Sequence, residues 1–206
     1  MDDQDRFRFI HDLYEFNDEE NVPAVYRKQF HVLVGREIGI EKHVRKLLVK
    51  IHAFTLMPNH YHMLLSENID GGITRFMKKL NAGYVRYFNQ KHERSGTLFE
   101  SRFKSVLIKN EKHFIHLPYY IHCNCLDLKF PEWRKRELKN HGEIIDYLNS
   151  YRWSSHLDYC GIKNFPSVTQ REFLMEYFNG TEGYKKSISG WLENIELETI
   201  NELLLE

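Results

Sequence analysis

The sequence predicts an α+β protein: a ferredoxin-like (split βαβ) antiparallel sheet with helices on one face, its first strand missing, followed by a C-terminal helical extension. Three observations predict it. Helical hydrophobic spacing alternates with short β-prone runs over the first 126 residues, in the order α-β-β-α-β-α. One more strand in front would make the first five elements β-α-β-β-α-β, the split βαβ unit. Beyond residue 127 the pattern turns helical and more polar. The chain has 206 residues, enough for one full core plus an extension, with an expected division into 1–130 and 131–206.

The elements follow in order. Residues 5–17 put Phe9, Leu13 and Phe16 on one helical face behind an acidic start. Asn21, Val22 and Pro23 end that helix, and 25–41 read as a loop or short irregular elements. Residues 45–56 are apolar and β-prone, hence a strand. Met57-Pro58-Asn59 turns, because proline cannot join a ladder and Asn tolerates turn dihedrals. Residues 60–66 form the second strand of a hairpin. Asp70-Gly71-Gly72 breaks the pattern, and 73–91 is a long helix with Phe76, Leu80, Tyr84, Tyr87 and Phe88 towards one side. Residues 97–108 read as a strand and 111–126 as a helix, with Pro118 near its start or at a kink.

In the extension, 131–142 is a basic connection and 143–149 a short helix. Two more helices cover 169–178 and 181–194, the first opened by Thr169 with Glu172 three residues on, a capping-box pattern. In the ferredoxin-like order the first strand is central, so its absence exposes two inner edges. Either 25–34 fills that slot or the strand belongs to a longer chain.

Composition excludes several classes. Apolar residues at 42% and charged residues at 28% are ordinary for a globular domain and argue against disorder. No run approaches the roughly 18 apolar residues that span a bilayer. The acidic start Met1-Asp2-Asp3-Gln4-Asp5 is neither a secretory signal nor a transit peptide. Cys123, Cys125 and Cys160 are odd in number and sparse, which fits a reducing cytoplasm better than a secreted disulfide scaffold. Cys123 and Cys125 read as packing or surface thiols. The net charge of zero hides an asymmetry: residues 72–140 hold fifteen Lys and Arg against six Asp and Glu, a balance of +9. A basic middle with interleaved aromatics suits a nucleic-acid surface, and it also suits a set of solvated helix faces.

Three features carry chemistry. In Met57-Pro58-Asn59-His60-Tyr61-His62-Met63-Leu64-Leu65, strand alternation points His60 and His62 to one face. Two imidazoles there can ligate one divalent ion and leave positions open for substrate, or they are simply polar groups on a solvated face. In Tyr120-Ile121-His122-Cys123-Asn124, helical spacing puts Tyr120 and Asn124 on one face, with His116 a turn earlier. That pair is a nucleophile beside a metal ligand, or a core aromatic followed by a helix C-cap. The third feature is the basic and aromatic block that includes Lys78, Lys79, Arg86, Tyr87, Arg94, Arg102 and Lys104, candidates for phosphate and base contacts.

Taken together and in order, these pieces resemble the single-tyrosine HUH transposases, the insertion-sequence enzymes and their REP-associated relatives. The resemblance runs from Asp5-Arg6-Phe7 through the His60-Tyr61-His62 strand, Tyr84-Val85-Arg86-Tyr87-Phe88-Asn89, Ser95 to Lys104 and Tyr119-Tyr120-Ile121-His122-Cys123-Asn124. It ends at Tyr151-Arg152-Trp153-Ser154-Ser155, an element common in the REP-associated branch. It implies that Tyr120 attacks a phosphodiester in single-stranded DNA beside a hairpin, leaving a 5′-phosphotyrosine and a free 3′-OH. It also implies that His60, His62 and Asn124 hold Mg²⁺ or Mn²⁺, and that the basic block holds the hairpin. A free phenol ionises near pH 10, so such a nucleophile needs help at pH 7. The resemblance further implies a cytoplasmic, nucleoid-associated protein with no membrane partner, and allows a homodimer. Cys125 stands where many relatives have Pro. A catalytically decayed hairpin-DNA-binding protein is the alternative, motivated by the missing strand. A small-nucleotide metallohydrolase rests on the His pair alone.

Overall fold

The computed structural model describes residues 1–20, 45–135 and 140–193. The readings for 25–34 and 25–41 lie outside the described residues.

Helix α1 (Asp3–Glu15) opens on a reciprocal cap: Asp5 N–H donates to Asp2 Oδ1 (2.9 Å) and Asp2 N–H to Asp5 Oδ2 (3.0 Å). Asn17, just past its end, sets the start of the sheet. Its Oδ1 accepts from the backbone N–H of Leu48 (3.1 Å) and Val49 (2.9 Å), and its Nδ2 donates to Val49 O.

Strands β1 (Val49–Leu56) and β2 (Tyr61–Glu67) form an antiparallel hairpin, the one sheet among the described residues. Leu56 pairs with Tyr61 and Thr55 with His62, and the register slips between Ile51 and Ala53, a bulge centred on His52. β1 is buried on both faces apart from Lys50, so both faces need covering.

Helices α1 and α2 (Gly72–Lys91) cover one face, where Phe9, Leu13, Phe76 and Leu80 pack on Ile51, Phe54 and Leu56. Gly71 starts α2 in the left-handed region (φ 65°), where glycine is unstrained. Gly72 is required for a different reason: a Cβ there would stand 2.1 Å from the Leu48 carbonyl oxygen. Gly72→Ala is therefore expected to cost about 2 to 3 kcal/mol, because a backbone carbonyl cannot rotate aside as a side chain can. Chemical denaturation checks this, and an unchanged midpoint would refute the packing argument.

The other face is covered by α3 (Glu111–Cys123) and by the extension. Leu64, Ala53 and Met57 share a buried cluster with Tyr119, Tyr120 and Ile121 of α3. This corrects the expectation of helices on one face only: strand alternation gives β1 and β2 apolar residues on both sides, and the sheet is sandwiched.

The described part of the extension joins that cluster. After the 3₁₀ segment Asn124–Leu128 that ends the first part, it contains the 3₁₀ segment Pro131–Lys135, then α4 (His141–Ser150), α5 (His156–Tyr159), α6 (Glu172–Tyr177) and α7 (Gly180–Glu193). Trp133, Leu148, Tyr159, Tyr184 and Trp191 pack beneath α3. The extension also covers the outer edge of β1. Leu56 N–H donates to Trp153 O (2.8 Å), Ser155 N–H to Phe54 O (3.0 Å) and Gln170 N–H to Ile51 O (2.9 Å).

Two further expectations are corrected. Residues 97–108 form no strand, and 101–107 are exposed. In a ferredoxin-like order the last strand pairs with the first, and the described residues supply no first strand. The polar side chains of Glu100, Arg102 and Lys104 add no apolar face to hold the segment flat. The Thr169 capping box is not formed either. Gln170 is tied to both backbone groups of Ile51, so its stretch stays with β1 and α6 begins after Arg171, while Thr169 Oγ1 accepts from Arg171.

Candidate active site

The histidine pair is built by the hairpin turn. Met57 N–H donates to His60 O (2.8 Å), which closes the turn and places His60 at the mouth of β2. His60 is exposed and His62 half-buried, their ring centroids 4.9 Å apart and nearly perpendicular at 87°. His60 Nδ1 and Asn59 Oδ1 are 2.8 Å apart. Such an outer partner fixes an imidazole's tautomer when its other nitrogen binds a metal.

The tyrosine helix is stapled to the histidine face. Thr55 lies directly across from His62, and its hydroxyl donates to the Ile121 carbonyl (2.7 Å), one residue past Tyr120. The result is a Tyr120 ring 6.2 Å from the His62 ring, edge to face. Tyr120 and His62 line a cleft of about 200 Å³ with Lys104, Val106 and Leu117. The hairpin and α3 thus bring His60, His62 and Tyr120 of one chain together.

Asn124 lies one turn beyond Tyr120 and is fully buried. Its Nδ2 donates to the Tyr120 carbonyl (2.8 Å), a cap on the last turn of α3, and its Oδ1 accepts from Arg134 Nη2 (2.9 Å). Of the two sequence readings of Asn124, the helix cap is the one formed.

Arg134 is the residue that sequence reasoning missed. It lies in what reads as a plain basic connection, ten residues past Asn124 and outside any motif. In the fold its Nη1 donates to the Tyr120 hydroxyl (2.9 Å), while Nε and Nη2 grip both oxygens of Asp127 at 2.9 and 2.7 Å. Partial burial works against the guanidinium charge, but Asp127 and the Tyr120 hydroxyl outweigh it and hold Arg134 above its ordinary range.

The basic block is spread rather than gathered. Lys78, Arg86, Arg94, Arg102 and Lys104 are exposed, and Lys104 lines the cleft. Lys79 Nζ donates to the carbonyls of Asp18 and Glu20. The Tyr87 hydroxyl donates to Asp5 (3.3 Å), with Arg8 and Lys91 over its ring, so this tyrosine ties α1 to α2. Cys123 and Cys125 are buried, and burial pushes both thiols up, which fits packing rather than ligation. His11, Asp12 and Glu15 cluster on α1, where Asp12 pairs with Arg8 (2.9 Å) and His11 with Glu15 (3.3 Å).

The family model "Transposase IS200 like" matches residues 31–124, a span that holds His60, His62, Tyr120 and Asn124. Through that span, somewhat under half of its length, the chain is similar to the IS200-like transposases. No characterised protein and no solved structure matches it significantly. That similarity suggests transposition-related DNA processing. No helix among the described residues is long and apolar enough to cross a membrane.

Proposed function

We propose that this protein is a transposase that cleaves and rejoins single-stranded DNA at or near hairpins, with Tyr120 as nucleophile and a 5′-phosphotyrosine intermediate. One observation carries the reading: the Tyr120 ring lies 6.2 Å from His62 in a cleft that also receives Lys104, and the His62 ring is 4.9 Å from that of His60. Tyr120 Oη attacks phosphorus as its proton leaves to solvent. The P–O3′ bond breaks, the 3′ oxygen takes up a proton, and the 5′ phosphate stays on the tyrosine. One phosphodiester replaces another, so rejoining needs no nucleotide cofactor. Lys104 suits a phosphate contact, and exposed Lys78, Arg86, Arg94 and Arg102 suit the hairpin's backbone.

The donor set fits a divalent ion. Two adjacent imidazoles on one face could share it, and Asn124 would be the third ligand that the resemblance implies, although here its amide oxygen accepts from Arg134. When bound, the ion stabilises charge developing on the phosphate oxygens. Nitrogen donors favour Mn²⁺ over Mg²⁺, which prefers oxygen.

A second reading, a hairpin-DNA-binding protein that no longer cuts, is favoured by the unformed strand at 97–108 beside the cleft. An adduct assay separates the two. Labelled hairpins from the protein's genomic neighbourhood should give a covalent band that needs Mn²⁺ or Mg²⁺. His62→Ala should weaken that band at limiting metal by at least about tenfold, the least expected when metal ligation is disturbed. Tight binding with no band under any metal would favour the binder.

A further inference from the structure

We infer that the cleft between α1 and the loop ahead of α6 is a separate contact for single-stranded DNA. It takes one unpaired base against Phe7 and Phe165, and the neighbouring phosphate on Arg152. The inference rests on the reading that the substrate is single-stranded DNA, but not on Tyr120 as nucleophile. All three residues lie outside the matched span 31–124.

The cleft has a volume of about 310 Å³ and is walled by Phe7, Ile10, Tyr14, Phe165, Pro166 and Val168. That is room for one small, flat ring system. Phe7 points out of α1 at 42% exposure, although Phe9 and Ile10 beside it are buried. Its ring meets Trp153 edge-on at 5.0 Å and Phe165 at 6.2 Å. The opposite wall is fixed from behind. Buried Asp158 accepts from the backbone N–H groups of Asn164 (3.0 Å) and Phe165 (2.9 Å). Asn164 Nδ2 in turn donates to the Arg152 carbonyl (2.6 Å). One buried carboxylate therefore sets the backbone of both the ring and the arginine, and little ordering cost remains for a ligand to meet.

Charge selects the occupant. The exposed Arg152 guanidinium lies over the rings of Phe7 (4.7 Å), Trp153 (5.2 Å) and Phe165 (5.9 Å), and among the described residues it pairs with no carboxylate. Arg6 lies over Trp153 (5.4 Å), and Arg45 over Tyr14 at the other end of the cleft (3.7 Å). Of the acids on this stretch of α1, Asp3 pairs with Arg6 and Asp12 with Arg8, each at 2.9 Å. An apolar peptide would leave Arg152 uncompensated. A single strand brings a flat base for the aromatic wall and a phosphate for the guanidinium. The position agrees. Leu56 N–H donates to Trp153 O, and Leu56 pairs with Tyr61, next to His60. Arg152 thus stands at the end of β1 that carries the histidine turn.

The test measures binding, by fluorescence anisotropy of the whole protein in EDTA so that no strand is cut. The probes are a labelled DNA hairpin with a short mixed-sequence single-stranded tail and the same hairpin without the tail. Phe7→Ala and Arg152→Gln should each weaken the tailed hairpin at least about fivefold and leave the blunt one unchanged. Arg152→Gln should also lower the salt dependence of tailed binding by about 0.7 in the log–log slope, the share of one phosphate on a single strand. Phe7→Tyr keeps the ring and should bind as wild type does. Arg152 is exposed, so its variant carries the test even where Phe7→Ala loses stability. Equal weakening of both hairpins, or tailed binding unmoved in Arg152→Gln, overturns the inference. A wild type that binds the two hairpins equally, or binds neither, overturns it too. The nucleophile reading stands or falls separately, by the adduct assay.

Discussion

Tyr120→Phe should form no covalent DNA adduct, at any pH or metal concentration, and should still bind hairpin DNA. The substitution removes one oxygen and keeps the ring that packs 6.1 Å from Trp133. Arg134 keeps Asp127 and Asn124 as partners, so the core around the site loses a single hydrogen bond, about 1 kcal/mol. A fall in adduct to background with the thermal midpoint nearly kept therefore reads as chemistry rather than unfolding. Adduct at the wild-type rate would sink the assignment. Tyr119 is the control: it packs among Phe178, Tyr184 and Trp191 on the extension side of α3, so Tyr119→Phe should leave the adduct intact.

Acid should unfold the protein through a buried histidine pair. His122 Nδ1 meets the Tyr184 hydroxyl at 2.7 Å, and the same hydroxyl meets His156 Nδ1 at 2.8 Å. His122 Nε2 lies 2.7 Å from the Ser155 hydroxyl, whose oxygen also accepts from the Phe54 backbone N–H. This chain links α3, α5, α7 and β1, and its side chains are buried. Burial drives the His122 ring well below its ordinary value, with His156 adding to the effect, and burial alone takes His156 down to about 4. The unfolded chain takes up protons at these rings near pH 6.5, and the folded chain only well below that. The unfolded state therefore binds more protons in that window, and stability rises with pH. It is fully present above about pH 7 and is lost as pH falls from 6.5 towards 4. The His156 shift alone corresponds to roughly 3 kcal/mol, or on the order of 10 °C in thermal midpoint for a chain of this size. Melting curves from pH 7.5 to 4.5 check this. A midpoint flat down to pH 5 would contradict it, and His156→Gln should flatten the slope over the same window.

Local chemistry explains which parts were readable. Helix α1, the hairpin, α2 and α3 follow from spacing and turn residues, because each buries a face set by its own periodicity. The His60 and His62 pair was readable because strand alternation forces both rings to one side. Tyr120 and Asn124 were readable as one helical face. The strand expected at 97–108 was not realised, since a strand needs a ladder partner and no local pattern can supply one. The Thr169 cap failed for a related reason: Gln170 bonds the backbone of Ile51, a residue 119 positions away.

The sequence by itself determined α1, the hairpin, α2 and α3, the two imidazoles on one edge and a tyrosine with an amide one turn on. Only the tertiary structure decided that α3 lies on the histidine face, through Thr55 and the Ile121 carbonyl. It alone brought Arg134 to the Tyr120 oxygen and turned Asn124 towards that guanidinium. The reason is physical. Periodicity reports which way a side chain faces on its own element, whereas a hydrogen bond between elements depends on how their faces pack.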